Sequence, residues 1–364
     1  MMLVPQLPQG KILLVTSDYP PATGGVAWYY YNLVRRLNAV ETPSVSPLAR
    51  GRLRGGNERV VVLLLGRGTL TPWWPLLIFP LLLKTIKFKS DIWWVGQVLP
   101  VGIAVWLLSH LWRKKYIVST HGMDLLLPLR SRRKRWFVKH ILNRAALITA
   151  NSEWTKAQLL KYYVSGITYQ ALSKRIAVIY PDPKPKRDVA WEEVSALRTK
   201  LEIPQDAKVL LTVSRLVARK GIDCALRALP EVWQRQPHVH YVIVGEGDQL
   251  PVYQSMVYQL ASSVGANGRS PVHFVGKASD EELAVYYSLA DEFILLPRES
   301  RGDVEGFGIV YLEADQYQVP IIATISGGTG EALQKCRQAT IVHDPFNAHE
   351  VANAIISNFK TVDR

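Results

Sequence analysis

Cysteine is scarce: the 364 residues include only Cys224 and Cys336, far apart and in no C-x-x-C pair. That excludes a disulfide scaffold and a cysteine zinc site, and it fits a reducing compartment. Residues 1–10 carry two prolines and no apolar core, so no secretory signal is legible. Long hydrophobic runs are missing too. The most apolar stretch, Leu70 to Leu83, contains three prolines and falls short of the roughly 20 residues a spanning helix needs, and Gly96 to Trp112 is interrupted by Gln97, Pro100 and His110. No G-x-G-x-x-G stands behind a strand. Gly24-Gly25 has the wrong spacing, and Gly245-Glu246-Gly247 is followed by Leu250 where the third glycine belongs, which weakens a nicotinamide dehydrogenase. Acidic residues are rare in the first half. Residues 1–180 hold 25 Lys and Arg against 6 Asp and Glu, a net +19, while the remainder holds 19 against 24, a net −5.

What is present is ample core, with 48% hydrophobic and 20% charged residues, enough for a globular protein. The length exceeds the roughly 250–300 residues at which single cores divide, so two domains are expected. Nine of the 11 Trp fall in the basic half. Such a half points to an anionic and partly apolar partner, either a membrane surface or nucleic acid.

Short apolar runs alternate with helix-length segments, the pattern of parallel strands joined by crossover helices. Strands are expected at Ile12–Thr16, Val60–Leu65, Ile92–Val95, Tyr116–Thr120, Leu147–Ala150 and Ile176–Ile179, with helices over Trp28–Leu37, Pro75–Lys87, Val101–Trp112 and Lys134–Leu142. The proline-rich PDPKPK (Pro181–Lys186) then breaks the pattern. The domains read as 1–181, a linker over 182–206, a second α/β domain over 207–345 and a final helix over 346–364. In the second domain, strands are expected at Val209–Val213, His240–Val244, Val272–Val275, Glu292–Leu296 and Pro320–Ala323. The helices run over Ile222–Pro230, up to about Val264, over Asp280–Leu289 behind a Ser279/Glu282 capping box, and over Ile309–Gln318. Open α/β sheets bind ligands beyond the carboxyl ends of their strands, so the loops there are where chemistry is sought.

Gly24-Gly25 precedes a helix, where a bare backbone and unpaired N–H groups suit a phosphate, although for a lone Gly-Gly a tight strand-to-helix turn is the better reading. Behind Val209–Val213, Arg215 and Lys220 place two cations in a loop suited to a diphosphate. Further on, Glu305-Gly306-Phe307-Gly308 leads into a helix carrying Glu313, a carboxylate among Val310, Leu312 and Ala314 that needs a partner. The spacing lets both acids face one cleft while the glycine N–H groups meet an anion.

In this order, Gly24-Gly25, Ser119-Thr120-His121-Gly122-Met123-Asp124, Asn151-Ser152, Arg215, Lys220, Gly245, the E-x7-E pair Glu305/Glu313 and Ser326-Gly327-Gly328 before Glu331 resemble glycosyltransferase family 4. The match runs from about Lys11 to His343. Arg301–Ala314 looks most like the phosphatidylinositol mannosyltransferase branch. The resemblance implies the GT-B fold, two Rossmann-like doubly wound domains facing a central cleft, and retaining transfer of a hexose. It also implies catalytic roles for His121, Arg215, Lys220 and Glu305, with His121 near the reacting sugar. Gly24, Gly25, Asn151, Ser152, Gly245, Gly276, Lys277, Gly306, Phe307, Gly308 and Glu313 would bind the nucleotide-sugar donor, Glu313 at the ribose. No metal or other cofactor is expected, because no Asp-x-Asp pair stands at a strand end and protein cations take that place.

The donor and acceptor expected on this resemblance are GDP-mannose and a membrane-associated lipid or lipid-linked glycan. The alternatives are a UDP-sugar with a soluble or polysaccharide acceptor and, in a different class, a basic nucleic-acid-binding protein. No helix-turn-helix, zinc-finger or RNA-recognition signature accompanies the basic run Arg130–Arg135, so nucleic acid is not the expected partner. Trp73, Trp74 and Phe79 ahead of Lys84, Lys87 and Lys89, together with that run, fit an anionic headgroup boundary, and the expected location is the cytoplasmic face of the membrane. The sequence departs from the family at Tyr317-Gln318, where Cys-Gly is usual, and at Gly330, where proline is common. It also stops at Arg364, before the long C-terminal helix usual in this fold.

Overall fold

The computed structural model describes residues 10–20, 22, 24–39, 59–65, 78–164, 172–264, 271–300 and 302–362. The polar, Arg- and Gly-bearing stretch 41–57 and the Trp73-Trp74 segment lie outside them. The chain divides into two compact units, Met1–Asp182 and Pro183–Arg364.

In the first unit, β1 (Ile12–Thr16), β2 (Val60–Leu64), β3 (Ile92–Val95), β4 (Lys115–Thr120), β5 (Leu147–Ala150) and β6 (Ile176–Val178) form one parallel sheet ordered β2-β1-β3-β4-β5-β6. The strands are continuous apolar runs because both faces are covered. Leu13, Val15, Trp93, Val95, Tyr116 and Val118 point to one side, where they meet Leu81 of α2 (Ile78–Phe88), Val105 of α3 (Val101–Leu111), Ile141 of α5 (Arg132–Arg144) and Leu159 of α6 (Glu153–Tyr163). Ile12, Leu14, Trp94 and Ile117 point to the other, against Tyr29, Tyr30 and Leu33 of α1 (Gly25–Ala39). A short helix, α4 (Met123–Leu126), follows β4. The first helix begins at Gly25 rather than Trp28, so the glycine pair forms its N-terminus.

In the second unit, β7 (Lys208–Val213), β8 (Val239–Val244), β9 (Val272–Gly276), β10 (Glu292–Leu295), β11 (Ile321–Ala323) and β12 (Ala339–Ile341) form a second parallel sheet, ordered β12-β11-β10-β7-β8-β9. The 182–206 segment, expected as a linker, carries helix α7 (Trp191–Lys200), packed on α10 (Asp280–Leu289). Pro183 begins the second unit, and Tyr317 ties this segment down by accepting the Arg187 N–H at 3.1 Å. Helix α8 (Ile222–Arg235) runs on through Pro230, where the sequence predicts an end. The buried Leu226, Leu229, Val232 and Trp233 hold it against the sheet, and this packing outweighs the missing N–H. Helix α11 (Ile309–Gln316) ends two residues before the expected Gln318, which adopts φ 64° where the family usually has glycine. The remaining helices are α9 (Leu250–Val264), α12 (Thr329–Leu333) and α13 (Ala348–Val362).

Both sheets reverse strand order once. The reversal falls between β1 and β3 in the first and between β7 and β10 in the second, and such crevices receive ligands in doubly wound folds.

Candidate active site

At the β7/β10 crevice the chain leaves β7 through Ser214 and Arg215, makes a 3-10 turn at Ala218–Lys220 and enters α8 at Gly221. Gly221 sits at φ +69°, and a Cβ there would lie 1.9 Å from the Leu296 carbonyl oxygen, so only glycine lets the turn press against the end of β10. The turn presents Arg219 and Lys220, both 7% exposed. The loop after β10 brings Glu305 to them. Lys220 Nζ stands 2.5 Å from Glu305 Oε2, Arg219 donates to the same oxygen, and Arg219 Nε lies 3.1 Å from Asp303.

Burial alone would raise the Glu305 carboxyl, but the charges of Lys220 and Arg219 overcome it and hold the group at about 2. Burial also holds the Lys220 ammonium below its ordinary value, and the Glu305 charge opposes that only in part. Glu305 is therefore ionised at neutral pH. The assembly is clamped from two directions. Arg298 donates its backbone N–H to the Arg219 carbonyl at 2.8 Å and its guanidinium to Asp223 of α8 at 2.8 and 3.0 Å. On the other side, Gly327 sits at φ +62° with a would-be Cβ 2.1 Å from the Glu305 carbonyl oxygen, and Gly328 donates its N–H to that oxygen at 2.9 Å.

Arg215 is exposed and has no anionic partner among the described residues. Gly245 donates its N–H to the Gly276 carbonyl at 2.7 Å, joining the ends of β8 and β9, and Lys277 follows in the open. A Cβ on Gly24 or Gly276 would meet nothing within 4 Å, so both backbones are open to a ligand. Gly306 and the buried Phe307 lead into Gly308, which caps α11, and Lys335 lies 5.3 Å over the Phe307 ring.

Glu313, expected to share a cleft face with Glu305, has different partners. It accepts from the Tyr287 hydroxyl at 3.0 Å and faces Lys184, which pairs with Asp280 at 2.5 Å. Burial raises its carboxyl, and the Lys184 charge and the Tyr287 bond oppose that. Tyr317, the residue standing for the usual cysteine, stacks on Tyr287 at 5.5 Å. The departure from the family therefore supports the Glu313 side chain.

In the first unit, Gln97 donates to Thr16 Oγ1 and to Asp18 Oδ2, both at 2.9 Å, bridging the β1 and β3 ends. His121, behind β4, approaches Tyr30, and burial lowers its imidazole to about 4. Asn151 and Ser152 engage in capping α6: Ser152 Oγ accepts the Thr155 N–H at 3.0 Å, and Thr155 Oγ1 donates to Asn151 at 2.7 Å. Two contributors escape the sequence reading. Arg219 adjoins Lys220 and was legible only as loop charge, and Tyr287 lies 26 residues from the carboxylate it serves.

The family description "Glycosyl transferases group 1" matches residues 193–361, and "Glycosyltransferase Family 4" matches residues 23–181. The GDP-mannose-dependent alpha-(1-6)-phosphatidylinositol monomannoside mannosyltransferase of Mycolicibacterium smegmatis is 30% identical over 351 residues, spanning 91% of this chain and 85% of that protein. This chain belongs to glycosyltransferase family 4. A monoacylated phosphatidylinositol monomannoside mannosyltransferase of Corynebacterium glutamicum, also GDP-mannose-dependent, is 28% identical over 89% of this chain and 82% of its own length. A Rickettsia africae glycosyltransferase superposes with a TM-score of 0.70 at 19% identity, covering 97% of this chain and 88% of its own. Anabaena HepE, solved with UDP and glucose, gives 0.68 at 18%, covering 98% and 91%. These structures establish the GT-B fold.

The Glu305 pair has a measurable pH signature. Its folded-state pKa lies below the ordinary value of 4.5, so its contribution, on the order of 3 kcal/mol, is complete above that pH and is lost as pH falls toward about 2. Urea unfolding of the wild type and Glu305→Gln at pH 7, 4 and 3 should show a stability gap that narrows with acidity. A gap independent of pH would refute the ionised cluster.

Proposed function

We propose that this glycosyltransferase moves mannose from GDP-mannose, with retention of configuration, to a membrane-associated lipid or lipid-linked glycan. The observation that carries the donor half is the buried Lys220/Arg219/Glu305 cluster at the β7/β10 crevice, with Arg215 free beside it. Two preorganised cations, Arg215 as a planar fork and Lys220 as a point charge, meet the diphosphate and stabilise the charge of the departing nucleotide. Glu305 accepts hydroxyls of the sugar, and the N–H groups of Gly306 to Gly308 meet sugar or phosphate oxygens. Glu313 takes the ribose hydroxyls. Gly245, Gly276 and Lys277 border the base, and the open Gly24-Gly25 backbone at the start of α1 suits a phosphate. The protein's cations take the place of a divalent metal. Family membership supports retention, and the names of the two mannosyltransferase relatives support GDP-mannose as the donor.

The acceptor half rests on the outer surface of the first unit. Helix α3 lies against both α2 and α5, and the three leave Phe79, Ile86 and Leu111 at 68%, 71% and 75% exposure, with Trp112 and Trp136 about half exposed. Arg132, Arg133 and Lys134 stand exposed on α5, and Arg113 just beyond the end of α3. Among the described residues no helix is long and apolar enough to cross a membrane. Apolar anchors between cations fit the headgroup boundary of an anionic, cytoplasmic leaflet, where each Lys or Arg contributes about 1 kcal/mol. Nucleic acid has no part in this reading.

Two experiments test it. Lys220→Ala and Glu313→Ala should each reduce mannosyl transfer at least roughly 100-fold with the fold intact, Arg215→Lys should also impair it, and a chelator should leave the wild type active. Near-native turnover in either alanine variant at saturating donor would remove the assignment. In vesicle sedimentation, the protein should pellet with anionic lipid, less so in high salt and less so again as the triple variant Arg132→Gln, Arg133→Gln, Lys134→Gln. Equal recovery in the supernatant with and without anionic vesicles would favour a soluble acceptor.

A further inference from the structure

Tyr30 is fully buried, and its hydroxyl oxygen lies 2.7 Å from the Gly96 carbonyl oxygen and 2.7 Å from His121 Nε2. A phenol has one hydrogen, and a carbonyl has none to give. Two oxygens at 2.7 Å with no hydrogen between them repel, so the phenolic hydrogen must lie toward Gly96. The contact with the imidazole then needs its hydrogen from the ring, at Nε2. Burial keeps the Tyr30 proton in place by pushing the phenol well above its ordinary value. Burial also lowers the imidazole to about 4, so at neutral pH the ring carries a single N–H.

The ring has little freedom to turn. Tyr29 and Tyr30 meet it edge-on, with centroids at 5.1 and 5.5 Å, and the His121 backbone N–H is anchored on Asp124 at 2.9 Å. Nδ1 has no partner among the described residues, and with the ring N–H at Nε2 it presents a bare lone pair.

We propose that Tyr30 is a positioning residue that locks His121 as the neutral Nε2–H tautomer, so that Nδ1 accepts a hydrogen bond from a ligand hydroxyl and repels a phosphate or carboxylate oxygen. This rests on the reading that His121 lies beside the donor sugar. The lock itself does not depend on that reading, and the test separates the two.

The full chain, 15N-labelled at histidine, is examined by long-range proton–nitrogen correlation at neutral pH, with His121 identified by its loss in His121→Gln. The wild type should show a protonated Nε2 and an unprotonated Nδ1. Tyr30→Phe, which keeps the ring and removes the acceptor, should shift both nitrogens toward a mixture of tautomers and lower kcat roughly 10-fold or more with little change in KM for GDP-mannose. A wild-type spectrum with the proton on Nδ1 overturns the proposal even if the variant fails to fold, and so does a folded Tyr30→Phe with an unchanged tautomer. Loss of the lock with full transfer would leave the lock standing and take His121 out of the reaction.

Discussion

A carboxylate held between two nearly buried cations is the constraint on which the second unit turns. Glu305 cannot be neutralised without leaving Lys220 at 7% exposure and Arg219 with Asp303 alone, and removing one partner of such a group commonly costs about 3–5 kcal/mol. The local structure serves to keep the three together. Gly221 brings the 3-10 turn against β10, Arg298 fastens that turn to α8, and Gly327 lets the following loop close over the Glu305 backbone. Because the cluster spans the reversal of strand order, the contacts that join the loops behind β7 and β10 also set charge at the edge of that crevice.

The first unit joins its strand ends with uncharged side chains around one carboxylate, Asp18. At its own reversal, Gln97 ties β1 to β3 through Thr16 and Asp18, and the Tyr30, Gly96 and His121 chain connects α1, the β3 end and the loop after β4. The second unit's edge offers cations, and the first unit's offers hydroxyl, amide and imidazole groups beside the Asp18 carboxylate.

Much of this was legible in the sequence because parallel strands buried on both faces read as short apolar runs, and eleven of the twelve strands among the described residues lie where such runs occur. Ala339–Ile341 was missed, being a three-residue edge strand that the residue pattern does not mark. Helix α7 was hidden by the prolines ahead of it, and α8 was cut short at Pro230, since tertiary packing that overrides a local breaker leaves no local signal. At the site, Lys220 and Glu305 were found from their spacing, but their direct contact was not, because it joins residues 85 apart. The common cleft face expected for Glu305 and Glu313 resolves into two separate sets of partners. Tyr287 and Tyr317 carry no motif at all, and only the fold reveals that they support Glu313.

The most direct test of the account is calorimetric titration of GDP into the wild type and into Lys220→Ala. If the β7/β10 crevice receives the diphosphate, GDP binds the wild type, and the variant loses at least about tenfold in affinity, the equivalent of 1.4 kcal/mol. Equal affinity in the two proteins would contradict it, because the diphosphate would then lie away from the Lys220/Glu305 pair.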